Sequence, residues 1–69
     1  MTIYPLKHYI NKKNNNVYKV LHLALDVTDN TYTDMVVYTE TGYNNNQTFT
    51  RELTEFTLKF KEAENYNEL

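Results

Sequence analysis

The sequence predicts a mainly β fold, a small barrel of about five strands with one short helical turn near residues 52–55. Three observations lead to this prediction. Runs rich in β-branched and aromatic residues are separated by asparagine clusters, and asparagine favours turns because its side chain bonds nearby backbone and tolerates positive φ. The two longest runs are apolar on both faces near their centres, as strands enclosed by a curled sheet are. The 69 residues suffice for one modest core.

A polar turn at residues 11–16 precedes a β-hairpin that is predicted over residues 17–41. Its arms are residues 17–27 and residues 31–41, and Asp29 and Asn30 form the tight turn between them. The first arm places two sets of residues on its two faces, with Val17, Leu21, Leu23, Leu25 and Val27 at odd positions and Tyr18, Val20, His22 and Ala24 at even positions. The second arm has Tyr32, Val36 and Tyr38 on one face and Met35 and Val37 on the other.

The last third of the chain begins with a polar segment, residues 44–47, and a short predicted strand at residues 47–51. Residues 56–61 then alternate apolar and polar side chains, which predicts a closing strand with one buried face. A helix over residues 51–67 is the alternative, because three apolar residues also share one helical face: Leu53, Phe56 and Phe60. The sequence leaves this choice open.

Composition limits the class of protein. We predict one domain over residues 1–61 and a polar tail over residues 62–69. There is no cysteine, and His8 and His22 are the only histidines, so neither a disulfide framework nor a metal site is expected. A formal charge of −2 is too small to indicate a nucleic-acid partner. Without a signal peptide pattern or an apolar run near the roughly 20 residues of a membrane span, we expect a cytoplasmic protein.

The sequence contains no arrangement typical of a catalytic site. Gly42 is the only glycine, which excludes phosphate-binding glycine loops, and neither histidine belongs to a recognisable nucleophile and base motif. We therefore predict that the protein is not an enzyme and needs no cofactor. Ten asparagines, seven tyrosines and six lysines, all with A/T-rich codons, indicate a low-GC bacterium or a phage that infects one.

Four motifs resemble those of a small bacterial family of domains of unknown function. Members of that family read Tyr-Arg-His-Tyr-Lys-Gly, Tyr-x-Val-Leu-x-x-Ala, Met-Val-Val-Tyr and Trp-x-Arg-Pro-Leu-x-x-Phe, in that order. The matching residues here are Lys7-His8-Tyr9, Tyr18-Lys19-Val20-Leu21 with Ala24, Met35-Val36-Val37-Tyr38, and Phe49-Thr50-Arg51-Glu52-Leu53 with Phe56. Order and spacing agree over residues 4–60. The resemblance implies an SH3-type small barrel and no particular activity.

The chain departs from the family pattern at three places. The Lys-Gly turn is replaced by the longer insertion at residues 11–16, and the proline after the arginine is Glu52. The His-Ser-Glu that follows the first long strand in the family is absent. A family function tied to these positions is therefore in doubt for this chain.

Two binding hypotheses rest on aromatic and charged residues. A barrel that brings its first and last strands together places His8 and Tyr9 near Arg51, so that His8, Tyr38 and Arg51 line a pocket for an anion or a peptide carboxylate. The alternative is that Arg51 stacks on a tyrosine and pairs with an acid to stabilise the fold. The second hypothesis is an exposed recognition patch drawn from four tyrosines: Tyr4, Tyr32, Tyr38 and Tyr43. Its alternative is that tyrosine replaces phenylalanine in the core.

The predicted function is that of a non-enzymatic interaction module, a phage or low-GC bacterial accessory protein that binds and modulates a host protein. The alternative function is nucleic-acid or nucleotide binding by the basic residues 7–19, Arg51 and exposed tyrosines. A homodimer formed through an open sheet edge is compatible with both functions.

Overall fold

A computed structural model describes residues 1–42 and 47–64. Its elements in chain order are β1 (His8–Asn11), β2 (Val17–Thr28), β3 (Thr31–Glu40), β4 (Phe49–Glu52), α1 (Leu53–Lys59) and β5 (Phe60–Glu62). The five strands form one antiparallel sheet in the order β4-β3-β2-β1-β5. The predicted mainly β class, with one short helix, is therefore confirmed.

The sheet is open in the part of the chain that the structure describes. β4 and β5 are its two edges, and no strand pairing joins them. α1 connects these edge strands in sequence and packs against β3, β4 and β5, so a helix rather than a β4–β5 pair covers this side of the core. The predicted closure into a barrel is thus not confirmed.

The predicted hairpin is confirmed as β2 and β3, which are paired from Tyr18 with Glu40 to Thr28 with Thr31. The turn consists of Asp29 and Asn30, both with positive φ (49° and 62°). Two consecutive residues of positive φ give the type I′ turn, whose twist matches that of the flanking strands, and asparagine and aspartate are among the few residues that adopt it at low cost.

The predicted division of β2 into an odd-numbered and an even-numbered face does not hold along the whole strand, because the strand register shifts between Val20 and His22. Before the shift, the even-numbered Tyr18 and Val20 face the core and are buried. After it, Leu23 lies opposite the buried Val36, so the odd-numbered residues take the core-facing side. One extra residue in a strand exchanges the two faces of everything that follows it. Val17 therefore lies on the opposite face from Leu23.

After residue 52 the chain forms mainly a helix, followed by a short strand. The closing strand predicted over residues 56–61 is wrong for its first four residues, which belong to α1, and only Phe60 and Lys61 lie in β5. The rings of Phe56 and Phe60 stack with their centroids 3.9 Å apart and their planes 5° apart. Leu58, which a closing strand buries, is 69% exposed. The part of the alternative helix beyond residue 64 lies outside the described residues.

The core is small and mostly aromatic. Tyr38 is its most connected member, because its ring lies 5.2–5.6 Å from four other rings, those of Tyr18, Phe49, Phe56 and Phe60. Most of these contacts are edge-to-face, the geometry that aromatic quadrupoles favour. The buried residues come from the N-terminal segment and from every element except β4: Ile3, Tyr9, Tyr18, Val20, Val36, Tyr38, Phe56 and Phe60.

Removal of the Phe56 ring is expected to destabilise the fold severely. Phe56 is 0% exposed and contacts Tyr9, Tyr38 and Phe60, so Phe56→Ala loses its transfer free energy and leaves a cavity, at a cost of about 3–5 kcal/mol. The matched control is Leu58→Ala on the same helix, whose exposed side chain is expected to contribute less than about 0.5 kcal/mol. Urea denaturation followed by circular dichroism measures both, and equal losses would contradict the described packing of α1.

Candidate functional site

The predicted site residues do not form one group. Tyr9 and His8 are neighbours in β1 and point to opposite faces of the sheet. Tyr9 is 1% exposed and shares the core with Tyr38, whereas His8 lies opposite Lys19 on the other face. The predicted grouping of His8 with Tyr38 and Arg51 is therefore not formed. Tyr32 lies near the β2–β3 turn, away from all of them.

Arg51 is held in place by neighbours on the core side of the sheet. Its Nε donates to Tyr38 Oη (3.2 Å), its Nη1 donates to Glu55 Oε1 (2.5 Å), and its Cζ lies 6.0 Å from the centroid of the Phe60 ring. The hydrogen bond to Tyr38 is the main cause that raises the pKa of Arg51 above its ordinary value, and Glu55 adds to the effect while partial burial opposes it. These contacts tie β4 to β3 and α1.

Tyr9 also has a structural hydrogen bond. Its hydroxyl accepts from the backbone N–H of Tyr4 (2.8 Å), which fixes the N-terminal segment beside β1. Burial is the main cause that raises the pKa of the Tyr9 phenol. Both Tyr9 and Tyr38 thus occupy core positions with their polar tips satisfied, as buried tyrosines generally do.

The predicted tyrosine patch is only partly present. Tyr4 and Tyr32 are exposed (50% and 68%), but Tyr38 is buried, which removes it from any recognition surface. Tyr43 lies outside the described residues. The Nζ of Lys7 lies 5.0 Å from the centroid of the Tyr4 ring, a cation–π contact at the N-terminal segment. Tyr32 belongs instead to a surface that is mainly aliphatic.

That surface belongs to a projecting part of the β2–β3 hairpin, residues 22–34, which we call the hairpin arm. β1 is in register with residues 17–19 of β2, and β4 is in register with residues 35–38 of β3. Residues 25–28 of β2 and 31–34 of β3 pair only with each other, whereas residues 22–24 of β2 lie opposite residues 35–37 of β3, which also pair with β4. The outer part of the arm, residues 25–34, therefore extends from the five-stranded sheet as a two-stranded ribbon, in a molecule whose extents are 40 × 26 × 21 Å.

One face of the hairpin arm is a continuous apolar stripe. Its four side chains are 48–68% exposed: Leu23, Leu25, Val27 and Tyr32. Val27 lies directly opposite Tyr32, and Leu23 lies opposite the buried Val36, so the stripe continues the core-facing side of the sheet into solvent. The sequence signal for it is the pattern Leu-x-Leu-x-Val at residues 23–27, but nothing in the sequence shows where the neighbouring strands end and hence that this face is exposed.

Among aspartate, glutamate, lysine and arginine, the hairpin arm contains only aspartates. The chain has no lysine or arginine between Lys19 and Arg51, and the hairpin arm carries Asp26, Asp29 and Asp34. Asp34 lies opposite Leu25 and so shares the face of the stripe. The stripe thus has an aspartate, Asp34, on its own face, and Asp26 and Asp29 lie elsewhere on the same arm.

A shallow groove continues the apolar stripe towards the helix. It has a volume of about 510 Å³ and lies between the base of the hairpin arm, the N-terminal segment and α1. Its apolar lining consists of five residues: Met1, Ile3, Leu23, Leu53 and Leu58. Leu58, which is 69% exposed, gives this groove an apolar outer rim.

Glu52 has a structural role at the position where the resembled family has proline. Its carboxylate accepts from the backbone N–H groups of Thr54 (2.8 Å) and Glu55 (3.1 Å), and so caps the N-terminus of α1. The bond to Thr54 is the main cause that lowers the pKa of Glu52. The cap fixes the start of the helix that carries Glu55 towards Arg51.

Comparisons with protein-family models, curated proteins and solved structures find no match to this chain. The family resemblance therefore stays a prediction. Within residues 1–42 and 47–64, no group of three or more histidine, aspartate or glutamate residues is placed to hold a metal ion. No helix among these same residues is long and apolar enough to cross a membrane.

The stabilising effect of the Glu52 cap is expected to be lost at low pH. Because the folded state lowers the pKa of this carboxylate, its contribution is present above about pH 4.5 and is lost as the pH falls through the folded pKa. Glu52→Gln is therefore expected to show a smaller fall in melting temperature between pH 7 and pH 3 than the wild type does. Glu64→Gln, at an exposed position, is the control with an unchanged fall. Equal falls in both variants and the wild type would show that Glu52 does not cap α1.

The Tyr38 hydroxyl is expected to stabilise the fold through Arg51. Tyr38→Phe retains the ring contacts but removes the acceptor of the Arg51 Nε–H, at a cost of about 1 kcal/mol in the free energy of unfolding. Tyr32→Phe makes the same chemical change at a residue that is 68% exposed and is expected to cost less than about 0.5 kcal/mol. Chemical denaturation compares the two variants, and a cost at residue 32 that equals the cost at residue 38 would contradict the assigned bond.

Proposed function

We propose that the protein is a small, non-enzymatic protein-interaction module whose contact surface is the apolar stripe. The observation that carries the proposal is the exposure of four large apolar side chains on a single face of the projecting hairpin arm. A contiguous apolar patch that is exposed to solvent is typical of an interaction site. Burying these side chains in the small core would add to the stability of the fold. The hairpin arm instead keeps them exposed to solvent.

The energetics favour a partner that covers more than the stripe. Each stripe side chain is roughly half exposed, so covering all four contributes roughly 3–6 kcal/mol before the costs of association. A stable complex generally buries about 800 Å² on each partner. The groove beside α1 is continuous with the stripe through Leu23, and it supplies the additional apolar area.

Charge defines the chemistry of the partner. Because the hairpin arm carries three aspartates and no lysine or arginine, the complementary surface is apolar and bordered by lysine or arginine. A second copy of this chain is a poor occupant of the same surface, since a symmetric contact between stripes brings the aspartates of both arms together. The proposed partner is therefore a different protein.

The proposal extends the fold class to an SH3-type small barrel that is open on one side. Two features support this extension: the strand order, in which β1 lies between β2 and β5, and the position of α1 between β4 and β5 in the chain. The four motifs of the resembled family agree with it. α1 occupies the side on which an additional strand pair is needed for closure.

We also propose that the chain is an accessory protein of a phage or a low-GC bacterium and that its partner is a host protein in the cytoplasm. The support is the asparagine, tyrosine and lysine content, which indicates A/T-rich codons. The acidic arm suits a short protein that modulates a host protein by covering one of its basic and apolar surfaces.

A charge placed in the stripe is expected to weaken partner binding. Leu25 is 58% exposed, so Leu25→Lys is expected to leave the melting temperature within a few degrees of the wild type while it weakens partner binding at least about tenfold. Ala24→Lys adds the same charge to the adjacent exposed residue of β2, on the opposite face, and is expected to bind normally.

The measurement is a quantitative pull-down from nuclease-treated lysate of a low-GC bacterium, followed by calorimetry with the purified partner. A protein retained by the wild type and by Ala24→Lys, but lost with Leu25→Lys, supports the stripe. Equal retention by both variants would place the contact elsewhere. A dimer of the wild type that Leu25→Lys dissociates, observed by light scattering, would assign the stripe to a second copy instead.

A further inference from the structure

A second cleft, which shares only Leu58 with the groove beside α1, collects basic residues from three separate segments. It has a volume of about 450 Å³ and is lined by Asn11, Lys12, Lys13, Arg51, Leu58 and Lys59. Four of the seven lysines and arginines of the chain thus meet in one place, although the net charge of the protein is −2. We propose that this basic cleft binds a compact polyphosphate-type anion, independently of the apolar stripe.

The asparagine-rich insertion brings two of these lysines to the cleft. The turn between β1 and β2 is closed by backbone bonds from Asn15 N–H to Asn11 O (2.8 Å) and from Asn11 N–H to Asn16 O (3.0 Å). Asn11 Oδ1 also accepts from the Lys13 N–H (2.8 Å). Asn15 has φ of 61°, which asparagine tolerates better than most residues. The segment that departs from the family pattern is therefore an ordered turn that presents Lys12 and Lys13 to α1.

Two of the four cations are already held in position. Lys12 Nζ donates to Leu58 O (3.1 Å) and the Lys12 N–H donates to Lys59 O (3.0 Å), so this residue caps the last turn of α1. Arg51 is fixed by Tyr38 and Glu55 and retains further N–H donors for a ligand. Fixed donors lower the entropic cost of binding an anion.

The cleft is net positive even when the nearby negative charges are subtracted, which favours the binding of an anion. Glu55 neutralises part of Arg51, and the C-terminal end of α1 contributes about half a negative charge. Lys13 and Lys59 remain, because no carboxylate in the described residues forms an ion pair with either ammonium group. Four positive groups thus face roughly one and a half negative charges.

The lining of the cleft favours a compact anion over a nucleic-acid strand. Single-stranded nucleic acids bind to grooves that combine positive charge with aromatic rings on which bases stack. The lining residues include no aromatic side chain. The exposed Tyr32 lies in β3 beside the β2–β3 turn, at the opposite end of β2 from the β1–β2 turn. Charge confined to one cleft, without a stacking surface, suits a ligand whose charges are close together, such as pyrophosphate.

The test is a titration of the ¹⁵N-labelled full chain with inorganic pyrophosphate at low ionic strength, followed by NMR. We expect saturable shifts of backbone amides at residues 11–13, 51, 58 and 59. The double variant Lys13→Gln with Lys59→Gln is expected to bind at least about tenfold more weakly, since each lost ammonium removes a charge-assisted contact. Its matched control, Lys7→Gln with Lys61→Gln, loses the same charge outside the cleft and is expected to change affinity less than about twofold.

Both lysines substituted in the cleft are exposed, so the double variant is expected to keep the dispersed spectrum of the folded protein. Loss of that dispersion would move the comparison to the single variant Lys59→Gln, for which about a threefold weakening is expected. Equal weakening in cleft and control variants would overturn the proposal, because it would reduce the effect to net charge. Shifts that do not saturate, or that sulfate reproduces at the same concentration, would also overturn it. Tighter binding of an oligonucleotide through these residues would replace it with the nucleic-acid alternative.

Discussion

The packing of aromatic rings around Tyr38 is the contact on which the rest of the structure depends. A chain of 69 residues without cysteine has only a small core, and here one ring on β3 meets rings from β2, β4, α1 and β5. The hydroxyl of the same residue holds Arg51, which in turn holds Glu55 on the helix. Because this cluster joins the elements at one end of the long hairpin, the other end is left to extend beyond the sheet. The position of the surface proposed for binding thus follows from the position of the core.

Local chemistry explains why parts of this fold can be predicted from the sequence. Asp29 and Asn30 between two β-branched runs give a hairpin whose turn needs positive φ at both positions, and asparagine and aspartate tolerate it. The register shift after Val20 has no comparable signal, because alternation on both sides of it is regular. Residues 56–61 fit both a period of two and a helical face, and the stacking of Phe56 on Phe60 with the Glu52 cap decides for the helix. Apolar residues on both faces of the hairpin predict barrel closure, but the same pattern also fits a hairpin arm with one apolar face exposed to solvent.

The candidate surfaces depend on information that is still less local. The sequence drew attention to tyrosines, yet the fold divides them: Tyr9 and Tyr38 support the core, and Tyr32 joins an aliphatic surface. The apolar stripe exists because neither β1 nor β4 extends along residues 25–34, and the length of a neighbouring strand is not encoded in the strand it leaves uncovered. The basic cleft combines residues 12, 13, 51 and 59, whose proximity requires both the turn and the helix. Composition gave a nearly neutral chain, whereas the structure separates its acidic arm from its basic cleft.

The register shift between Val20 and His22 gives the two halves of β2 different roles. On one side of it β2 contributes to the core, and on the other side it contributes to the exposed stripe, with the two halves linked by one irregular position. An insertion or deletion of one residue at that position moves the side chains of the outer half of β2 to the opposite face, while Tyr18 and Val20 lie before the change. Leu23, Leu25 and Val27 then face the other way, whereas Tyr32 on β3 keeps its face. A lineage that carries this hairpin has a short mutational route by which its recognition surface can be redirected without the fold being lost.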